Sequence, residues 1–115
     1  MGVRTTHVCR LNRGLFFQVG RALQRGFGKS MLGTVTLRLS GGVLWIGSEC
    51  GGGSIACSGN ARVIVEMSAK SFCQLVTTRY REKSPSGEMT IKFDPDLGEV
   101  SIDRAGVKAK FLKTS

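Results

Sequence analysis

The chain has 115 residues, 41% of them hydrophobic, which is enough for one domain with a real core and too few for two. Seventeen basic residues against eight acidic ones give a net charge of +9, and no apolar run approaches the ~20 residues of a membrane span. These figures exclude a disordered tail, a membrane-spanning helix and a two-domain arrangement over residues 1–115, and they favour polyanionic partners. The charge is also lopsided. Arg4, Arg10, Arg13, Arg21, Arg25, Lys29 and Arg38 all precede the first acid, Glu49. Nucleic acid is the commonest polyanion such a field would attract.

In chain order, Val3, Thr5, His7, Cys9 and Leu11 alternate with Arg4, Thr6, Val8 and Arg10, which predicts an opening strand. Asn12 is a suitable N-cap, since its side-chain oxygen can accept a free amide of the first helical turn. Leu15, Phe16, Val19, Ala22, Leu23 and Phe27 then fall on one arc, predicting an amphipathic helix over 13–27 with Gln18, Arg21, Gln24 and Arg25 opposite. Phe17 does not fit that arc, Gly20 and Gly26 weaken the helix, and Gly28 is a stop signal.

Thr34–Leu39 alternates cleanly, and Ser40-Gly41-Gly42 predicts a hairpin turn into 43–47, which carries Trp45. Residues 50–54, Cys-Gly-Gly-Gly-Ser, read as a flexible hairpin tip leading to a strand at 55–57; another strand is expected at 62–66. The glycines lack the Lys-Ser/Thr ending and following helix of a phosphate cradle. Ser68 is expected to cap a second helix over 69–80, with Ala69, Phe72, Cys73, Leu75, Val76 and Tyr80 inward and Lys70, Gln74, Thr77 and Thr78 outward. A polar loop at 81–87 leads to strands at 89–93, 99–103 and 107–112, the first two joined by the turn Asp94-Pro95-Asp96-Leu97-Gly98. The expected fold is α+β: one domain over 1–115, an antiparallel sheet of about eight strands with two helices packed on one side.

Chemistry-bearing residues are sparse. Cys9, Cys50, Cys57 and Cys73 lack zinc-site spacing, and His7 is the sole histidine. The thiols read as small buried or half-buried groups of a reducing compartment, Cys50 excepted as exposed, with a disulfide pair left open. Asp94 and Asp96 flank a turn proline. No metal, cofactor or catalytic constellation is expected. Arg4, Thr5, Thr6 and His7 do not make the apolar core of a secretory signal, so a cytoplasmic location is expected.

Three stretches resemble one repeat of a DNA sliding clamp, in particular the first domain of the bacterial DNA polymerase III beta subunit. They are Leu15 to Ala22 followed by Leu32-Gly33-Thr34-Val35-Thr36-Leu37; Val65 to Val76, similar to a strand-into-helix segment of the type V-P-A-K/R, with Ser68 in place of Pro; and 98–103 with Lys108-Ala109-Lys110-Phe111. The resemblance implies a non-enzymatic protein whose basic helices face duplex DNA. The contacts would come from Arg13, Gln18, Arg21, Arg25 and Lys29 on and after the first helix, and from Lys70, Gln74 and Thr77 on the second. It also implies self-association through the last strand, with Val107, Ala109 and Phe111 at the junction; a closed ring would take about six copies of a single repeat. The alternative is a protein-interaction module that binds a clamp, a polymerase or another replication factor through an edge strand.

Overall fold

The computed structural model describes residues 6–29, 32–59, 61–77, 87–102 and 105–114. Val3 and Thr5 of the expected opening strand, Thr78 and Tyr80 of the second helix, and Arg81 to Ser86 lie outside them. The elements run β1 (His7–Asn12), α1 (Arg13–Phe27), β2 (Thr34–Ser40), β3 (Val43–Ser48), β4 (Gly51–Ser58), β5 (Val63–Ser68), α2 (Ala69–Thr77), β6 (Glu88–Asp94), β7 (Glu99–Ile102), β8 (Ala105–Lys108) and β9 (Lys110–Thr114). The fold is α+β, with two helices and an antiparallel sheet of nine strands among the described residues.

The sheet order is β8-β7-β6-β1-β4-β3-β2-β5-β9. Its two terminal members, β8 and β9, are consecutive in the chain with only Ala109 between them. One strand path therefore pairs first with β7 and then with β5, and so supplies both ends of the sheet. β4 also changes neighbours, passing from β3 at Gly51–Ala56 to β1 at Cys57–Ser58. The chain is a strand–helix–three-strand unit used twice. β1 pairs with β6 and β4 as β5 pairs with β2 and β9; β2–β3–β4 has its counterpart in β6–β7–β8.

Local chemistry explains the element ends. Asn12 Oδ1 accepts from Leu15 N at 3.0 Å and caps α1; Ser68 Oγ accepts from Ser71 N at 3.0 Å and caps α2. Both caps are the last residue of the strand that opens their unit. Gly28, at φ 68°, terminates α1 with its N–H on Arg25 O. The Gly41–Gly42 turn has both φ values positive, 60° and 74°, the geometry whose twist suits a two-residue hairpin. Asp94 Oδ1 accepts from Leu97 N at 3.2 Å in the turn before β7.

One continuous core lies between the helices and the sheet. It takes Phe16, Leu23 and Phe27 from α1, Phe72, Leu75 and Val76 from α2, and alternate residues of the strands such as Val35, Leu37 and Leu39. Full burial of each such side chain is worth roughly 1.5–3 kcal/mol. Three expectations are corrected. First, α1 is rotated: Leu15 and Ala22 are exposed, while Phe17 is half-buried against the core, edge-on to Phe16 at 5.7 Å. The contact that sets this rotation is Gly20, which is buried where α1 crosses α2; a methyl group there would sit 2.5 Å from Val76 Cγ2.

Second, Gly51–Gly53 is not a flexible tip but the start of β4, with Gly53 opposite Ile46, Gly52 opposite Gly47 and Gly51 opposite Ser48. The turn is Glu49-Cys50, held by Ser48 Oγ, which donates to Gly51 O at 2.9 Å and accepts from Cys50 N at 3.1 Å. Glycine is needed because a side chain at Gly52 would run into Ile46 O, and one at Gly53 would meet Val19 of α1 at 3.0 Å. Third, the last strand is two ladders, β8 and β9, and the sheet has nine strands rather than about eight.

Candidate nucleic-acid interface

Neither helix contains an acidic residue. On α1 the buried residues Phe16, Gly20, Leu23 and Phe27 set the core direction. Gln18, Arg21 and Arg25 are exposed on the opposite side, because residues 3–4 positions apart stack on one face. On α2, Ala69, Phe72, Cys73, Leu75 and Val76 are buried and Lys70, Gln74 and Thr77 are exposed. The helices pack on each other at Gly20–Val76, through their buried faces. Lys29 is exposed just after α1. Arg13 is half-buried at the flank of α1, with its backbone N–H on Gly87 O at 2.8 Å. Thr77 commits its hydroxyl proton to Cys73 O at 2.9 Å, which leaves its oxygen as an acceptor only.

The expected self-association residues do not form an exposed apolar patch. Val107 is buried, 7% exposed, and Ala109 and Phe111 are half-buried against the core. Among the described residues the strand is paired on one side only and is an edge of the sheet, as expected, and these three side chains face the core. Ala109 N–H donates to Gly98 O at 2.9 Å, and Lys108 Nζ donates to Leu97 O at 3.4 Å.

The thiols fall where the sequence suggested: Cys9 and Cys73 buried, Cys57 half-buried, Cys50 exposed, all four free. The Cys9 and Cys57 thiols, on paired strands, are neighbours. Burial, reinforced by that neighbour, pushes the Cys9 thiol up to about 12; burial also raises Cys57 and Cys73. Such thiols are poor nucleophiles at neutral pH. Among the described residues no group of three or more His, Cys, Asp or Glu side chains converges to hold a metal, and no helix is long and apolar enough to cross a membrane.

Reading by element left one cluster unnoticed. Arg38 on β2 and Trp45 on β3 are direct cross-strand partners, with the guanidinium carbon 5.3 Å from the ring centroid. Alternation within each strand pointed both side chains away from the core, Arg38 between Leu37 and Leu39, Trp45 between Leu44 and Ile46. Only the register between strands makes them neighbours. Compared with protein-family models, curated proteins and solved structures, the chain matches none.

Proposed function

We propose that this protein is a non-enzymatic, clamp-like binder of duplex DNA that holds the phosphate backbone, without reading sequence, against the joint face of α1 and α2. One observation carries the reading: Gln18, Arg21, Arg25, Lys70 and Gln74 are exposed on two adjoining helices free of acidic residues. Lys29 extends this face and Arg13 flanks it. Fixed cations with no internal anion on their own element favour a polyanion over an intramolecular partner. The clamp assignment itself rests on the order of strands and helices and on the residues quoted above. Self-association belongs to the same reading, and it would use the outer backbone of β9, Lys110–Thr114, rather than the side chains of Val107, Ala109 and Phe111.

The alternative, capture of a clamp, polymerase or other replication factor, would use the same strand edge by β-augmentation. Duplex affinity measured by anisotropy over a range of salt separates the two. DNA binding through the helix face gives a log–log salt slope that falls by about two in the Arg21→Glu/Arg25→Glu variant, with at least tenfold weaker binding at low salt. Unchanged binding in that variant overturns the helix face. No duplex affinity at any salt, with tight binding to an intact clamp, leaves the interaction module.

A further inference from the structure

A single row of cross-strand partners runs across four neighbouring ladders: Lys113 opposite Ile64, Ile64 opposite Arg38, Arg38 opposite Trp45, and Trp45 opposite Ser54. All five side chains share one face of the sheet. That face is turned away from α1, because Gly53 lies against Val19 of α1 and the adjacent Ser54 points the other way. Trp45 is 44% exposed, and Arg38, Lys113 and Ser54 are exposed with it. The row therefore sets an aromatic ring beside one cation, with a second cation about 14 Å away, three strand spacings along.

The adjoining row, Gly52, Gly47 and Thr36, bares backbone beside the ring, and a side chain at Gly47 would meet nothing within 4 Å. A planar group thus has room next to Trp45. Glu66, which continues that row, has Lys110 as its cross-strand partner. β2 and β3 are each paired on both sides, so no peptide can add to this surface as a strand. A ligand here must bring rings to stack and anions to pair.

We propose that the Arg38–Trp45 face is a second binding surface, specific for single-stranded nucleic acid, on which a base stacks against Trp45 while phosphates pair with Arg38 and Lys113. Sequence-independent single-strand binding has this composition: a base-stacking aromatic in a cationic setting. The surface is separate from the duplex-binding helix face and does not depend on it.

Trp45 is the only tryptophan of the chain, so its fluorescence reports this site alone. Titration with a short oligothymidylate is expected to quench it, and to do so equally in the Arg21→Glu/Arg25→Glu variant. Trp45→Ala is expected to weaken oligothymidylate binding about tenfold, with duplex binding unchanged, and Trp45→Tyr to restore most of the loss. Should the Ala variant fail to fold, quenching of the wild-type protein and affinity of the Tyr variant still decide. No quenching, unchanged affinity of Trp45→Ala, or equal quenching by a poly-glutamate peptide overturns the proposal; the last result makes the face a site for acidic protein.

Discussion

Gly20 is the residue on which the helix pair depends. The Val76 side chain occupies the space a Cβ would need, with Cγ2 2.5 Å away and Cγ1 3.1 Å away. In an exposed helix Gly→Ala stabilises by up to about 1 kcal/mol; at this crossing the overlap forces α1 off α2 and reverses the sign. Gly20→Ala is expected to destabilise by roughly 1–3 kcal/mol in urea unfolding, and Val76→Ala in the same chain should recover part of it. The thiols give a second expectation at this scale. At pH 8 a soluble alkylating reagent should modify Cys50 first, with Cys9 and Cys73 protected until the protein unfolds. Cys9 also links stability to alkaline pH. Its folded pKa, about 12, lies above its ordinary 9.0, so the unfolded chain releases the proton first. The contribution is intact below pH 9 and is lost as pH rises toward 12, with a ceiling of roughly 4 kcal/mol. Cys9→Val should flatten that part of the stability–pH curve.

At the scale of elements, the two caps are the cleanest test of local coding. Asn12→Ala and Ser68→Ala each remove an acceptor from a free amide and are expected to cost about 1 kcal/mol, with Asn12→Ser close to neutral. Caps, the Gly41–Gly42 turn and the alternation of Val35, Leu37 and Leu39 were readable because each signal is carried by a few contiguous residues. The start of β4 was not: three glycines carry no alternation, and what makes them a strand is Val19 on one side and Ile46 on the other. α1 offered a broad apolar arc with Phe17 beyond its edge, so its rotation waited on the contact of Gly20 with Val76 of α2, far along the chain. Gln18, Arg21 and Arg25 stay exposed under that rotation because they lie nearly opposite either choice of core. The last strand is an edge, as its lysines suggested, but sequence order could not show that it changes neighbours halfway or that Val107, Ala109 and Phe111 pack against the core. The Arg38–Trp45 row needed the register of four strands at once.

At the scale of the whole molecule, the two strand–helix units are tied together by the β1–β6 and β2–β5 ladders and by one shared core, while the strand path through Ala109 joins β7 to β5 within the second unit. Neither unit keeps a complete sheet without the other: β1 needs β6, and β5 needs β2. Unfolding is therefore expected to be a single transition, seen identically by Trp45 fluorescence, which samples the first unit, and by far-UV circular dichroism, which samples both. Ala109 is the place to challenge this. Its N–H donates to Gly98 O at 2.9 Å, where β8 ends and β9 begins, so Ala109→Pro deletes that bond and restricts the residue that joins the two ladders. A loss of ~2 kcal/mol would lower the midpoint by roughly 10 °C. If the β1–β6 and β2–β5 ladders make the units one cooperative body, damage at this second-unit site shifts fluorescence and circular dichroism by the same amount and they stay coincident. A split, with Trp45 melting apart from the rest, would mean that the second unit loosens without the first and that the two halves fold as separate bodies. It would also make the joint helix face conditional on temperature, because α1 and α2 belong to different units and meet only while both are folded.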